Sequence, residues 1–148
     1  MCSIVIGLLL QITAYSQSKT IQTDSFPKDL KKYLEKTVKF PSIALKDYTQ
    51  GTMVVSFEIK NDQKIGKIYF SKHLTNECDS IVIKALHNFP QKISLAPNQY
   101  TIGLRFLILD DGKSDSEIIP MDKSRYKNFL FELNVTGELP RGKPSIVY

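Results

Sequence analysis

Gly51-Thr52-Met53-Val54-Val55-Ser56-Phe57-Glu58-Ile59 is the stretch on which the fold turns. Met53, Val55, Phe57 and Ile59 alternate with Thr52, Val54, Ser56 and Glu58, the two-residue period of a strand with one apolar face. Val54 makes the second face partly apolar as well, which suits a central strand. Asn61-Asp62-Gln63 supplies a turn, and Lys64 to Ser71, with Ile65, Ile68, Tyr69 and Phe70, reads as the hairpin partner.

Upstream, Leu30, Tyr33, Leu34 and Val38 recur at helical spacing, with Pro27 suited to the first turn. Phe40-Pro41 breaks that helix, because the residue before proline avoids helical geometry. A second helical turn is expected over Ser42 to Leu45. Downstream, Asn76 is a candidate N-cap for a helix over Glu77 to Asn88. Cys78, Ile81, Val82, Ala85 and Phe89 share one face of it, and Pro90 ends it. Tyr100 to Leu109 reads as a third strand with Ile102, Leu104, Phe106 and Ile108 on one face, and Asp110-Asp111-Gly112 stops it. A hairpin followed by a helix returns the chain to its starting side, so the third strand pairs antiparallel only with the first. The expected fold is therefore α+β and two-layered: a three-stranded antiparallel sheet of order 2-1-3 packed by helices, followed by a C-terminal extension.

Within that extension the pattern is ambiguous. Tyr126, Phe129, Leu130 and Leu133 form one helical face after an Asp122 cap, whereas Phe129, Phe131 and Leu133 form one face of a strand. The chain divides into a signal segment (1–16), a polar N-terminus (17–25), the domain (26–111) and a partly ordered extension (112–148).

The composition is that of an ordinary globular chain: 148 residues, 42% hydrophobic and 24% charged, with a net charge of +5. That excludes collagen-like and wholly disordered classes. Residues 19–109 carry 14 Lys/Arg against 8 Asp/Glu and residues 110–148 carry 6 against 7. The lysines are scattered rather than clustered, so no nucleic-acid partner is expected. No charged side chain precedes Lys19, and the apolar run Ile4 to Ile12 is too short to span a bilayer. Ala14 and Ser16 are small and two apart, as at a signal-peptidase site. Residues 1–16 are thus read as a cleaved export signal, giving a periplasmic protein with no stable membrane anchor. Cys2 precedes the apolar run, the wrong side for lipidation. Cys78 then remains as a lone thiol with no expected redox role.

No catalytic constellation is visible. His73 and His87 lie in no metal-binding spacing, and no GxSxG, P-loop or GxGxxG occurs. Asp110-Asp111 reads as turn chemistry. The sequence points to a non-catalytic chain with no catalytic, cofactor or metal site.

Several of these elements together resemble the C-terminal domain of the TonB energy-transducer family over about Phe40 to Ile108. The resemblance rests on Phe40-Pro41 and its helical turn, Gly51 before the alternating strand, and the Ile65 to Ser71 hairpin strand. Ala85-Leu86 before Phe89-Pro90, and the Tyr100 to Ile108 strand, complete it. The hairpin turn reads Asn61-Asp62-Gln63-Lys64 where the family usually has Asp-Gly. His87 and Asn88 stand where the family often has tryptophan. The family's transducing members carry an uncleaved anchor and a long Pro-rich spacer, and neither is expected before this domain. The resemblance implies protein or peptide binding, with an extended receptor segment added beside the last strand. Carried over, that edge is Tyr100, Thr101, Ile102, Gly103, Leu104, Arg105 and Phe106. Its expected partner is an envelope protein or an outer-membrane receptor peptide. Two other readings remain open: a self-associating structural protein pairing through the same edge as a homodimer, and an enzyme or inhibitor accessory using the divergent tail.

Overall fold

The computed structural model describes residues 27–109 and 120–139; the segments expected to be the signal (1–16), the polar N-terminus (17–25) and the Asp110-Asp111 turn lie outside them. The class is α+β. Helix α1 (Lys28–Thr37) and the short α2 (Ser42–Lys46) precede strands β1 (Gly51–Ile59) and β2 (Ile65–Lys72). Helix α3 (Asn76–His87), strand β3 (Asn98–Leu109), a 3-10 turn (Lys123–Arg125) and strand β4 (Phe129–Glu138) follow.

The sheet has four strands, in the order β2-β1-β3-β4. β1 runs antiparallel to both β2 and β3, and β4 runs parallel to β3. The expected three-stranded antiparallel sheet is therefore incomplete: a fourth, parallel strand from the extension makes it mixed. The physical reason is visible in the burial. Phe131, Leu133 and Val135 are each only 4% exposed, so β4 brings an apolar row to the same core as β3. The ambiguous stretch resolves into both of its parts. Asp122 caps only a single turn, its carboxylate accepting from Ser124 N–H at 3.2 Å, and the strand period prevails beyond it.

Met53, Val55, Phe57, Ile102, Leu104 and Phe106 project to the face covered by α1 and α3, where Leu30, Leu34, Cys78, Val82, Ala85 and Leu86 meet them. Phe89 packs at the margin, edge-on to Tyr33 with ring centroids 5.2 Å apart. Helix α3 is capped by Thr75 rather than Asn76: the Thr75 hydroxyl accepts from Cys78 N–H at 3.2 Å. Phe40, set by Pro41 at the start of α2, lies edge-on to Phe106 and over Gly137. A Cβ at Gly137 would stand 2.8 Å from the Phe40 ring, so glycine lets β4 slide beneath it.

Helix α2 ends with Thr49 N–H donating to Ala44 C=O (2.8 Å) and Tyr48 N–H to Leu45 C=O (3.3 Å). This is a Schellman ending, with Tyr48 at φ 52° where glycine is favoured.

Candidate functional site

Every residue of the expected peptide-binding edge lies inside the sheet. Tyr100 stands opposite Phe57 on β1, its hydroxyl donating to Ala96 C=O at 3.0 Å. Burial pushes its phenol above the ordinary value. Thr101 N–H donates to Asn128 C=O (3.1 Å), and its hydroxyl lies 2.9 Å from the buried Ser56 hydroxyl. Ile102, Leu104 and Phe106 are core residues at 0% exposure. Gly103 faces the other way, beneath Met121, where a Cβ would come within 2.5 Å of Met121 Cε. Arg105, on the same face, bonds through Nε to Glu132 of β4.

β4 pairs with β3 from Thr101↔Phe129 to Leu109↔Glu138, so the chain itself fills the edge assigned to a partner. Thr101 to Phe106 is thus held between β1 and β4, while Tyr100, just before the β4 ladder begins, pairs with Phe57 of β1. The resemblance located the last strand at β3. The last strand among the described residues begins about twenty residues beyond it, a separation long enough for a parallel crossover.

Among the described residues β2 and β4 are the outermost strands of the sheet, and their edges differ. β2 is guarded: its pairing with β1 slips at Val54/Val55 and again between Phe57 and Ile59, and Lys67 and Lys72 are exposed along it. Lysines and bulges are what native edge strands use to discourage pairing. β4 is unguarded. After a single irregularity between Thr101 and Ile102, its ladder runs one-for-one from Phe131 to Glu138 with neither lysine nor proline.

The outer edge of β4 runs along a shallow groove of about 660 Å³. Its helix-side wall is α1, with Lys31 and Glu35 paired at 3.8 Å. The opposite wall carries Arg105, Lys123 and Glu132. Glu132 is only 12% exposed and is held by both cations, Lys123 Nζ lying 3.4 Å from Oε2. Lys123 also stands 5.8 Å over the Phe129 ring. The groove therefore presents a fixed ion cluster and main chain, with no nucleophile beside a base.

A smaller hollow of about 270 Å³ lies between the hairpin turn and the end of α3, lined by Ile65, Leu86 and Phe89 with Lys64, His87 and Lys92 at its rim. It contains no carboxylate or hydroxyl to act with those bases. His73 is exposed and its Nδ1 lies 2.6 Å from Asp79 Oδ2, tying the β2–α3 loop to the first turn of α3. Cys78 is buried, and desolvation pushes its thiol above the ordinary value.

Among the described residues no three His, Cys, Asp or Glu side chains are placed to hold a metal ion, and no helix is long and apolar enough to cross a membrane. Comparison with protein-family models, curated proteins and solved structures gives no match. The sequence held the signal for the β4 edge in the alternation of Phe129, Phe131 and Leu133, which competed with the helical spacing of Tyr126, Phe129, Leu130 and Leu133.

Proposed function

We propose that this chain is an exported, non-catalytic binding module that takes an extended segment of an envelope protein by strand addition at the outer edge of β4. The contrast between the two outermost strands of the described sheet carries the reading. One is bulged and lysine-bearing; the other is a regular, lysine-free strand with a groove along it. Unpaired N–H and C=O groups on such an edge are satisfied by an incoming strand, which gives affinity through main chain and selectivity through alternate side chains. The resemblance to the TonB recognition domain supports a receptor peptide as that segment, and the apolar run before Ala14-x-Ser16 supports a periplasmic location.

The experiment is fluorescence anisotropy with labelled peptides from the N-terminal segments of outer-membrane receptors. It compares the native chain with the double variant Asn134→Lys/Thr136→Lys. Both side chains are exposed, so the variant keeps its fold while its edge gains the guard that β2 carries. Binding by the native chain and loss in the variant is the expected result. Equal binding by both, or no receptor peptide bound by either, overturns the proposal.

A further inference from the structure

Strand addition at the outer edge of β4, on which this inference rests, leaves open what lies there when no receptor segment is present. We propose that a second copy of this chain does, by antiparallel pairing of β4 with itself about a two-fold axis through Asn134. A two-fold pairing normal to the sheet keeps the helix-covered faces of both copies on one side, so residues of like face stand opposite one another. The uninterrupted run of β4 is Phe131 to Glu138, and a register centred on Asn134 engages nearly all of it.

In that register, Phe131 stands opposite Gly137 of the second copy and Leu133 opposite Val135, so no two bulky rings collide on the core side. Glu132 stands opposite Thr136 and Leu130 opposite Glu138, so no like charges face each other directly. A centre lying between two residues, a slip of one residue in the pairing, would set core-side residues against solvent-side ones. Centring on Val135 would set Glu132 against Glu138. The helix-side rim is compatible as well, because each copy contributes a Lys31–Glu35 pair of opposite charges, so two neutral rims meet.

A second copy and a receptor segment would then compete for one set of main-chain groups, and partner binding would split the dimer.

The experiment uses the full chain carrying Cys2→Ser, in which Cys78 is buried and does not interfere. Residues directly opposite in an antiparallel pair have Cα atoms about 4.5–5.5 Å apart, within disulfide range. Asn134→Cys, lying on the axis, should form a covalent dimer under mild oxidation, roughly a hundred-fold faster than either Glu132→Cys or Thr136→Cys alone, because pairing sets a millimolar local concentration. An equimolar mixture of Glu132→Cys and Thr136→Cys should give the mixed dimer. Light scattering of the native chain should show a mass rising from one copy to two across the micromolar range, reversed by a bound receptor peptide. Asn134→Cys cross-linking no faster than Thr136→Cys overturns the register. A monomer throughout, with receptor peptides still bound by the native edge and lost in Asn134→Lys/Thr136→Lys, overturns self-pairing and leaves strand addition standing. Neither a second copy nor a peptide at this edge overturns both.

Discussion

Leu133→Ala tests whether β4 belongs to the cooperative core or merely lies against it. Leu133 is 4% exposed, stands opposite Leu104 in the β3 ladder, and lies between Phe131 and Val135 in the buried row of β4. Truncating a buried leucine costs about 2–5 kcal/mol through lost transfer energy and the cavity left behind. An outermost strand relaxes into part of that cavity, which places the loss at about 2–3 kcal/mol. Against a total stability of about 5–15 kcal/mol for a domain, that is a large fraction. With a urea slope of about 2 kcal/mol/M, the unfolding midpoint should fall by about 1–1.5 M at unchanged slope. The chain has no tryptophan, so far-ultraviolet circular dichroism is the suitable probe. Thr136→Ala, on the exposed side of the same strand, should change stability by no more than about 0.5 kcal/mol. A midpoint indifferent to Leu133→Ala would mean that β4 is not part of the folded unit. The outer edge of β3 would then be free after all.

Phe57→Ala should cost about 3–5 kcal/mol in the same titration, since Phe57 is fully buried among β3 and the helices; an unchanged midpoint would place the wrong face of β1 inward. Tyr48→Gly should stabilise the chain by about 0.5–1 kcal/mol, because Tyr48 is 63% exposed and pays only for its left-handed backbone; destabilisation would reveal a packing role. Cys78 should react with iodoacetamide only as fast as the chain unfolds, and prompt labelling of folded protein would contradict its burial. The neutral thiol is the form the fold favours, so its contribution to stability is full below the ordinary value of 9.0 and is lost as pH rises through the higher folded value.

The first strand was legible because its period-two pattern is long and opens at Gly51, and the helices because apolar residues recur at helical spacing, each bounded by a proline. From these, the antiparallel pairing of β1 with both β2 and β3 followed by connection geometry alone. β4 was obscured by two local features. Tyr126, Phe129, Leu130 and Leu133 also fall at helical spacing, which competes with the alternation of Phe129, Phe131 and Leu133. Asp122 also gives a genuine helix-start signal that serves only a three-residue turn. The candidate site moved for the same reason. An edge is defined by what lies beside it, and the strand beside β3 sits about twenty residues farther along the chain. The N-cap at Thr75 rather than Asn76 is a one-residue matter of which hydroxyl or amide points back along the helix.

Hydrogen exchange resolved residue by residue, with and without a saturating receptor peptide, tests the central claim most directly. In a strand, N–H groups alternate in direction, so half of those in Phe129–Glu138 point away from β3. Strand addition at β4 predicts that this alternate set gains strong protection when the peptide binds. The outward amides of Ile65–Lys72 on β2 should stay unchanged. Protection appearing on β2 instead, or on neither edge while the peptide is bound, would contradict it.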